Sequence, residues 1–459
     1  MFVADVAIVG AGAVGCAMAR RFTLEGASVI LLERGADLLS GASKGNSAIL
    51  HTGFDAPPGS VELSCMQAGY AEYLNIREDF NLPLLETGAM VVAWTEDERA
   101  ALDGIEAQAK ANGVYNVRRL SPAEIRAREP ELSPRALEAL LVPGEYVIDP
   151  WSPFLAYLLQ AKAHGAEISF STEVLSGAFD GSFWTLQTTS GVRRARTVIN
   201  CAGLHGDKLD VRLLGSASFQ IKPRKGQFVV FDKEAAQILK TIILPVPSER
   251  TKGVVLTRTV FGNVLVGPTA EEQDDRDRAT VEEEALRRLL AKAEEMVPAL
   301  AAVDVTAVYA GLRPATEEKS YRISVHGERN WITVGGIRST GLTASLGIAR
   351  HVYKLYQDMG NQHTEITSPQ TPRVPNLAEH RPRDWQAGGY GEIVCHCEMV
   401  TLREIESALS GSLPAGDFGG LKRRTRCGMG RCQGFYCNAQ LARLTAGCFS
   451  SPLAVGDTR

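Results

Sequence analysis

Asp5-Val6-Ala7-Ile8-Val9-Gly10-Ala11-Gly12-Ala13-Val14-Gly15 is the stretch whose reading decides the fold. Residues 5–9 are an apolar run that reads as a buried strand, a glycine turn follows at once, and Cys16 to Leu24 repeats its apolar positions with helical spacing. A second apolar run, Ser28 to Leu32, ends in Glu33. In this strand–turn–helix–strand order, Gly10, Gly12 and Gly15 allow a tight turn and the close approach of a pyrophosphate to a helix N-terminus. Glu33 is placed to accept from a ribose hydroxyl. A bound dinucleotide and an α/β fold are therefore expected. Acidic Asp5, the interrupting glycines and the lack of a positively charged start make this segment read as retained rather than as a secretory leader.

Outward from the fingerprint, strand and helix patterns alternate to about residue 80. A strand pair over 85–93 then leads into a charged helix, Glu96 to Asn112. Ser121 to Glu131 reads as a helix opened by Ser-Pro with Glu124 at the capping-box position. A long helix, Ser152 to His164, returns to strands ending at Ala202-Gly203, and a second excursion over 215–305 holds β-like runs and a helix from Thr280 to Met296. Apolar strands around Val308 and Ile332 come back to the cofactor. Pro369, Pro372, Pro375 and Pro382 mark an extended linker, which suggests a separately folded module beyond it.

That module carries Cys395-x-Cys397 and Cys427-x4-Cys432, four thiols able to hold one [2Fe–2S] cluster. Structural zinc sites use ligand pairs two to four residues apart, so a C-x-C pair suits zinc less well. The spacing resembles the small ferredoxin-like domain named after bacterioferritin-associated ferredoxin, with Glu398, Thr401, Gly428, Gly430, Gln433 and Gly434 around the two pairs. Glycine allows backbone N–H groups to approach cluster sulfides. Cys437 is a spare thiol, and Cys16, Cys65, Cys201 and Cys448 read as buried small residues. The total of nine cysteines is odd, which argues against a disulfide framework and for a reducing compartment.

Gly41-Ala42-Ser43-Lys44-Gly45-Asn46-Ser47 is a small-residue loop of the kind that lies against a diphosphate and flavin ring. Val198 to Gly203, Gly311-Leu312-Arg313-Pro314 and Gly335 to Ser345 are further glycine-bearing stretches. Together with Asn46 to Ser60, Lys225-Gly226-Gln227-Phe228 and Gly262 to Thr269, they resemble the D-amino-acid-oxidase-like superfamily of FAD enzymes. Within it they resemble the branch of anaerobic-type glycerol-3-phosphate dehydrogenase large subunits and L-2-hydroxyglutarate oxidases. The resemblance favours FAD over NAD and implies cofactor contacts at Arg34, Ser43, Asn46, Ser47, Ala202, Gly203, Gly311, Gly336, Thr340, Gly341, Leu342 and Thr343. It also implies a Rossmann-like FAD-binding domain (1–80, 145–214 and 306–366) interleaved with an antiparallel-sheet, α+β substrate domain (81–144 and 215–305). A linker (367–388) and a small helical [2Fe–2S] domain (389–459) follow.

A chain of 459 residues with 45% hydrophobic residues suffices for about three domains. Its net charge of −4 is too small and too evenly spread to point to nucleic acid. No apolar run approaches the roughly 20 residues that cross a bilayer, so electron delivery to a membrane would need a partner subunit. Cytoplasmic placement, peripheral to the inner face through such a partner, and a hetero- or homo-oligomer are expected.

Oxidising an alcohol carbon with a flavin needs a base for the hydroxyl proton and a cation for the substrate's anionic end. His51, directly after the flavin loop, is the candidate base; the plainer alternative is a histidine bonded to backbone. Arg313 is the candidate anchor, because a guanidinium pairs with carboxylate or phosphate through two hydrogen bonds. Lys225 is placed either at the substrate cavity or on a solvated loop. Arg258 stands where relatives carry proline, in the substrate pocket or a surface turn. Lys422-Arg423-Arg424-Thr425-Arg426 is placed to offset the cluster's negative charge or to dock an acidic electron acceptor. These residues and the resemblance imply an FAD dehydrogenase for a small anionic 2-hydroxy compound, foremost glycerol 3-phosphate. Electrons would leave through the cluster to a quinone-linked subunit or an electron carrier. An L-2-hydroxy acid dehydrogenase, an amine, opine or hydroxyproline dehydrogenase subunit, and a pure electron-transfer subunit are the alternatives.

Overall fold

Val6 and Ile8 face one side of a sheet and Ala7 and Val9 the other, and both sides are covered. In the computed structural model, which describes residues 2–247 and 253–453, strand Ala4–Val9 pairs in parallel with Val29–Leu32 and with Gly191–Asn200 inside an eight-stranded sheet. Val6 and Ile8 join a core with Met18 and Phe22 of helix Ala13–Leu24 and with Ile348 of helix Gly341–Asp358. Ala4, Ala7 and Val9 pack instead with Leu209 and Leu213 of helix Gly206–Leu214. A strand buried on both faces has no polar face, which is why it reads as a continuous apolar run. Trp331–Gly335 extends the parallel part, and the hairpin Val174–Phe179 and Trp184–Thr188 continues it antiparallel.

The second sheet has nine strands and is mostly antiparallel. Helix Glu283–Met296 covers one face with Ala285, Leu289, Ala293 and Met296, a stripe of small and large apolar residues at helical spacing. Helix Glu96–Ala111 covers the other through Leu102 and Ala109. The expected capping box forms, Ser121 and Glu124 each bonding the other's backbone at the start of helix Pro122–Arg128. One boundary differs from the sequence reading. Strand Val305–Ala315, expected in the cofactor domain, pairs along its length with Lys222–Phe231 in this second sheet. Its glycine-bearing end reaches the cofactor cavity, which is the part the local pattern reveals; strand pairing is a non-local property.

The expected linker forms no helix before Asp384–Gln386, as its prolines require, yet it is not a free spacer. Val374, Leu377, Ala378 and Arg383 are buried, and the backbone bonds back to the body, Val374 N–H to the Phe80 carbonyl and Glu379 N–H to that of Val260.

Helices Leu402–Ser410, Phe418–Thr425 and Asn438–Leu444 and a short hairpin, Ile393–Cys395 with Val400–Thr401, form the thiol domain. Val394, Val400, Ile405, Leu421 and Leu441 make its core. It is docked rather than separately tethered. Asp37, fully buried, takes both Arg424 guanidinium nitrogens at 2.6 and 2.8 Å and the Gly416 N–H at 3.1 Å. Arg423 donates to the Leu38 carbonyl, and Arg431 pairs with Asp232 at 3.0 Å. Lys422-Arg423-Arg424-Thr425-Arg426 is therefore not the expected docking surface for an acidic partner. Arg423 and Arg424 bind the body, Lys422 lies over the Phe418 ring, and Arg426 pairs with buried Glu398.

Asp37→Ala strands Arg424 in a buried site, and a loss of about 3–5 kcal/mol is expected, whereas exchanging both partners for apolar residues of similar volume should cost much less. Urea unfolding of the single and double variants, with proteolysis after residue 386 as the probe of undocking, measures the difference.

Candidate active site

The carboxyl ends of four parallel strands and the long strands Lys222–Phe231 and Val305–Ala315 open onto one cavity of about 1000 Å³. Open α/β sheets bind ligands at this end of their strands. Gly10 holds φ +109°, and a Cβ there would stand 2.5 Å from the Cys201 carbonyl oxygen; a Cβ on Gly15 would stand 1.8 Å from the Gly10 oxygen. The turn thus brings its backbone to the cavity only with glycine at both places. Ser43 Oγ accepts from the Ala13 N–H at 3.0 Å, which puts the 41–47 loop at the N-terminus of the first helix. Glu33 accepts from the N–H groups of Ala11 and Gly35, both at 2.7 Å, and burial raises its pKa.

Most of the sequence-derived residues line this cavity: Gly10, Gly12, Glu33, Arg34, Ser43, Asn46, Ser47, Ala202 and Gly203, together with Gly311, Gly336, Thr340, Gly341, Leu342, His51 and Arg313. Arg34 pairs with Asp277. Gly15 acts through packing, beneath Gly10. Thr343 is not among the lining residues: its buried hydroxyl accepts from the His51 N–H at 3.0 Å and donates to the Ile49 carbonyl, so it fixes the backbone of the segment that carries His51. Lys225 is also turned away. Strand alternation sends Arg224 and Gly226 to the cavity and Lys225 to the opposite face, where Glu271 and Glu282 neutralise it. Arg258 shares the face of Leu256, whereas Val255 lines the cavity; burial lowers its pKa against the nearby charge of Glu129. Neither residue is a substrate contact in this geometry.

His51 Nδ1 lies 2.7 Å from Glu145 Oε2. Glu145 is fully buried, and its other oxygen accepts from the N–H and the hydroxyl of Thr52, both at 2.7 Å. A carboxylate so held fixes the proton of a neutral imidazole on Nδ1 and leaves Nε2 the basic nitrogen. The Arg313 guanidinium donates to the Thr269 carbonyl at 3.2 and 3.3 Å. A Cβ on Gly226 would stand 2.6 Å from Arg313 Nη2, so the glycine makes room for the guanidinium. Burial, then the like charges of Arg224 and Arg338, push the Arg313 pKa down to about 10. Arg338 lines the same cavity and its pKa is lowered, chiefly by burial. The site therefore concentrates cationic charge that an anion would relieve. Sequence reasoning missed Glu145, Arg224 and Arg338. Arg338 stood in a quoted glycine stretch, and Arg224 adjoined Lys225. Glu145, in a Pro-Gly-Glu turn, carries no local signal.

In the thiol domain Cys395 and Cys427 are buried and Cys397 and Cys432 half-buried. The Gly428 N–H points to Cys395 Sγ at 3.5 Å, and a Cβ on Gly430 would stand 2.5 Å from Cys397 Cβ. Backbone N–H groups of Tyr436, Gly434 and Phe435 lower the pKa of Cys432, which favours thiolate. Cys437 is buried beside Cys395, whereas Cys448, expected to be buried, is exposed. Among the described residues, no three His, Cys, Asp or Glu side chains converge as on a single ion. The four thiols form a spread donor set with N–H groups directed at sulfur, the chemistry an iron–sulfur cluster requires.

A family model described as FAD dependent oxidoreductase matches residues 5–355. The chain belongs to this family. A second model, the BFD-like [2Fe-2S] binding domain, matches residues 393–446. The glycerol 3-phosphate dehydrogenase of Caloramator mitchellensis is 31% identical, over 96% of this chain and 94% of its own length. One subunit of the anaerobic glycerol-3-phosphate dehydrogenase of Escherichia coli K12 is 26% identical, over 96% and 87%. The FAD-bound L-alpha-glycerophosphate oxidase of Mycoplasma pneumoniae superposes with a TM-score of 0.75 at 26% identity, covering 82% of this chain and all of that one. This member of the FAD dependent oxidoreductase family thus binds FAD and a [2Fe–2S] cluster, and the glycine cradle at Gly10 and the N–H-rimmed thiols fit those groups.

Cys427→Ser and Cys432→Ser should each lose iron and acid-labile sulfide while retaining stoichiometric FAD, as metal, sulfide and flavin analysis of anaerobically purified protein will register.

Proposed function

We propose that this oxidoreductase is a glycerol-3-phosphate dehydrogenase that passes electrons through its cluster to an external acceptor. The observation that carries the reading is one cavity lined both by His51, which buried Glu145 holds from behind, and by three arginines, Arg224, Arg313 and Arg338. The named activities of the Caloramator and Mycoplasma relatives support the same substrate.

Bound FAD supplies the hydride acceptor, and the bound cluster supplies a one-electron carrier. The chain's own residues do the rest. Arg313, with its fork fixed on the Thr269 carbonyl, binds the phosphate, and Arg224 and Arg338 share its charge. Holding the phosphate leaves the adjacent secondary alcohol near His51. His51 Nε2 takes the hydroxyl proton as the carbon gives up hydride, and Glu145 stabilises the imidazolium that results. The oriented histidine also separates this reading from amine oxidation: a neutral amine already carries a lone pair and needs no base as strong. An L-2-hydroxy acid would use the same base, with a carboxylate in place of the phosphate on the arginines.

No described helix is long and apolar enough to cross a membrane. The resemblance to one component of an anaerobic enzyme supports assembly with a partner that receives the electrons, and a cytoplasmic site at the membrane face suits a quinone-linked partner.

Anaerobic flavin bleaching against glycerol 3-phosphate, 2-hydroxyglutarate, proline derivatives and opines tests the substrate; bleaching by any of the others but not by glycerol 3-phosphate would overturn the reading. His51→Ala should slow flavin reduction by roughly 10²–10⁴-fold with a smaller change in substrate affinity. Arg313→Ala should instead weaken binding by about 2–5 kcal/mol, and Arg313→Lys should restore part of it. Rapid-reaction kinetics against substrate concentration separates the two effects.

A further inference from the structure

The cofactor cavity and the cluster thiols lie in different domains, and between them runs one unbroken line of side-chain contacts. Arg426 directly precedes Cys427 and holds a left-handed backbone, φ +68°, unusual for a residue with a side chain. It is buried, its Nε donates to Glu398 Oε2 at 2.8 Å, and its guanidinium carbon lies 4.0 Å from the centre of the Phe261 ring. Phe261 is buried and stacks on Trp151, with centroids 5.4 Å apart and planes 14° from parallel. The Trp151 indole N–H donates to the Lys44 carbonyl at 3.1 Å, inside the 41–47 loop that lines the cofactor cavity. Among the described residues, no other ring contact joins the thiol domain to the body.

Each member of this line is held in place by bonds outside it. The Trp151 N–H is fixed on Asp149 Oδ1 at 2.8 Å, and the Phe261 N–H on Thr259 Oγ1 at 3.3 Å. Asp149 is itself fully buried and also accepts from Ser152, so the tryptophan is anchored at the backbone and at the ring. The left-handed Arg426 is the strained member, and the Glu398 pair and the ring contact hold it there.

We propose that Trp151, Phe261 and Arg426 form the route by which electrons pass from the cofactor cavity to the cluster. Electron tunnelling weakens with each gap in packed matter, and stacked rings offer a polarisable path without one. The inference extends the proposed dehydrogenase reading and supplies the step that follows hydride transfer. In balance, the substrate carbon gives a hydride, two electrons with one proton, and His51 receives the hydroxyl proton. The reduced flavin then releases its electrons singly. Each reduces one ferric ion of the cluster to ferrous, and an external one-electron acceptor must reoxidise the cluster before the second electron crosses. The flavin's proton leaves to solvent.

The test uses the holoprotein, mixed anaerobically with glycerol 3-phosphate and followed by flavin absorbance and by freeze-quenched electron paramagnetic resonance of the reduced cluster. Phe261→Leu should bleach its flavin at the wild-type rate while the cluster signal falls behind, and Phe261→Tyr, which keeps a ring, should close that delay. Reductive titration with dithionite should return wild-type midpoint potentials and an unchanged cluster spectrum for both variants, which places the defect between the centres. If Phe261→Leu does not accumulate with both cofactors, Phe261→Met removes the ring in its place. A ringless variant with wild-type potentials that fills its cluster as fast as the wild type would overturn the proposal. Should glycerol 3-phosphate fail to bleach the flavin, photoreduction with a sacrificial donor drives the same comparison. The electron route is then judged separately from the substrate.

Discussion

One buried ion pair joins the two halves of the chemistry. Asp37 lies just beyond Glu33, in the loop that follows the dinucleotide fingerprint, and Arg424 lies on the helix that ends immediately before Cys427. The pair therefore ties the first cofactor-binding turn to a cluster ligand across most of the sequence. Two charges without water are stable only while they keep each other, so the docking is close to all-or-none. Gly420 shows how tight the fit is: a Cβ there would stand 1.7 Å from Asp37 Oδ2. The Arg423–Leu38 and Arg431–Asp232 bonds and the Arg426–Phe261 ring contact complete the same interface.

Electrostatics divides the labour inside the cavity. Arg313, Arg224 and Arg338 line one cavity; Arg224 pairs with Glu272 at 3.2 Å, while burial and the neighbouring like charges lower the pKa of Arg313, a condition that an anion would relieve. Nearby, the negative charge of Glu145 is buried but satisfied, by the imidazole on one oxygen and by Thr52 on the other. The cavity thus holds a group of arginines and a carboxylate-held histidine together with the glycine turn that fits FAD. The basic run before Cys427 works in the other direction. Its arginines are consumed by Asp37 and Glu398, so they build the frame and leave partner recognition to other surfaces.

Local patterns carried much of this in the sequence. The fingerprint, the spacing of the four cysteines and the capping box at Ser121 are each defined over a few residues, and each forms where the sequence places it. The place of His51 and Arg313 at the cavity was legible because they adjoin stretches whose backbone approaches it. Lys225, Arg258 and Thr343 were misplaced for the same reason in reverse. Proximity in sequence named the stretch, but strand alternation and a side-chain rotation decided which residue faced the cavity, and Arg224 took the position expected for Lys225.

The sequence alone determined a dinucleotide-binding α/β fold and four thiols spaced for a cluster, because backbone turns and ligand spacings are short-range requirements; FAD and the oxidoreductase chemistry were what the family resemblance implied. Only the tertiary structure decided that Glu145 orients His51, that Arg338 and Arg224 join Arg313, and that the strand Val305–Ala315 belongs to the second sheet. It also turned the expected spacer and separate module into a docked domain with aromatic contact to the cofactor loop. These are pairings between residues far apart along the chain, and their free energy appears only once burial removes the water that would otherwise satisfy each group alone.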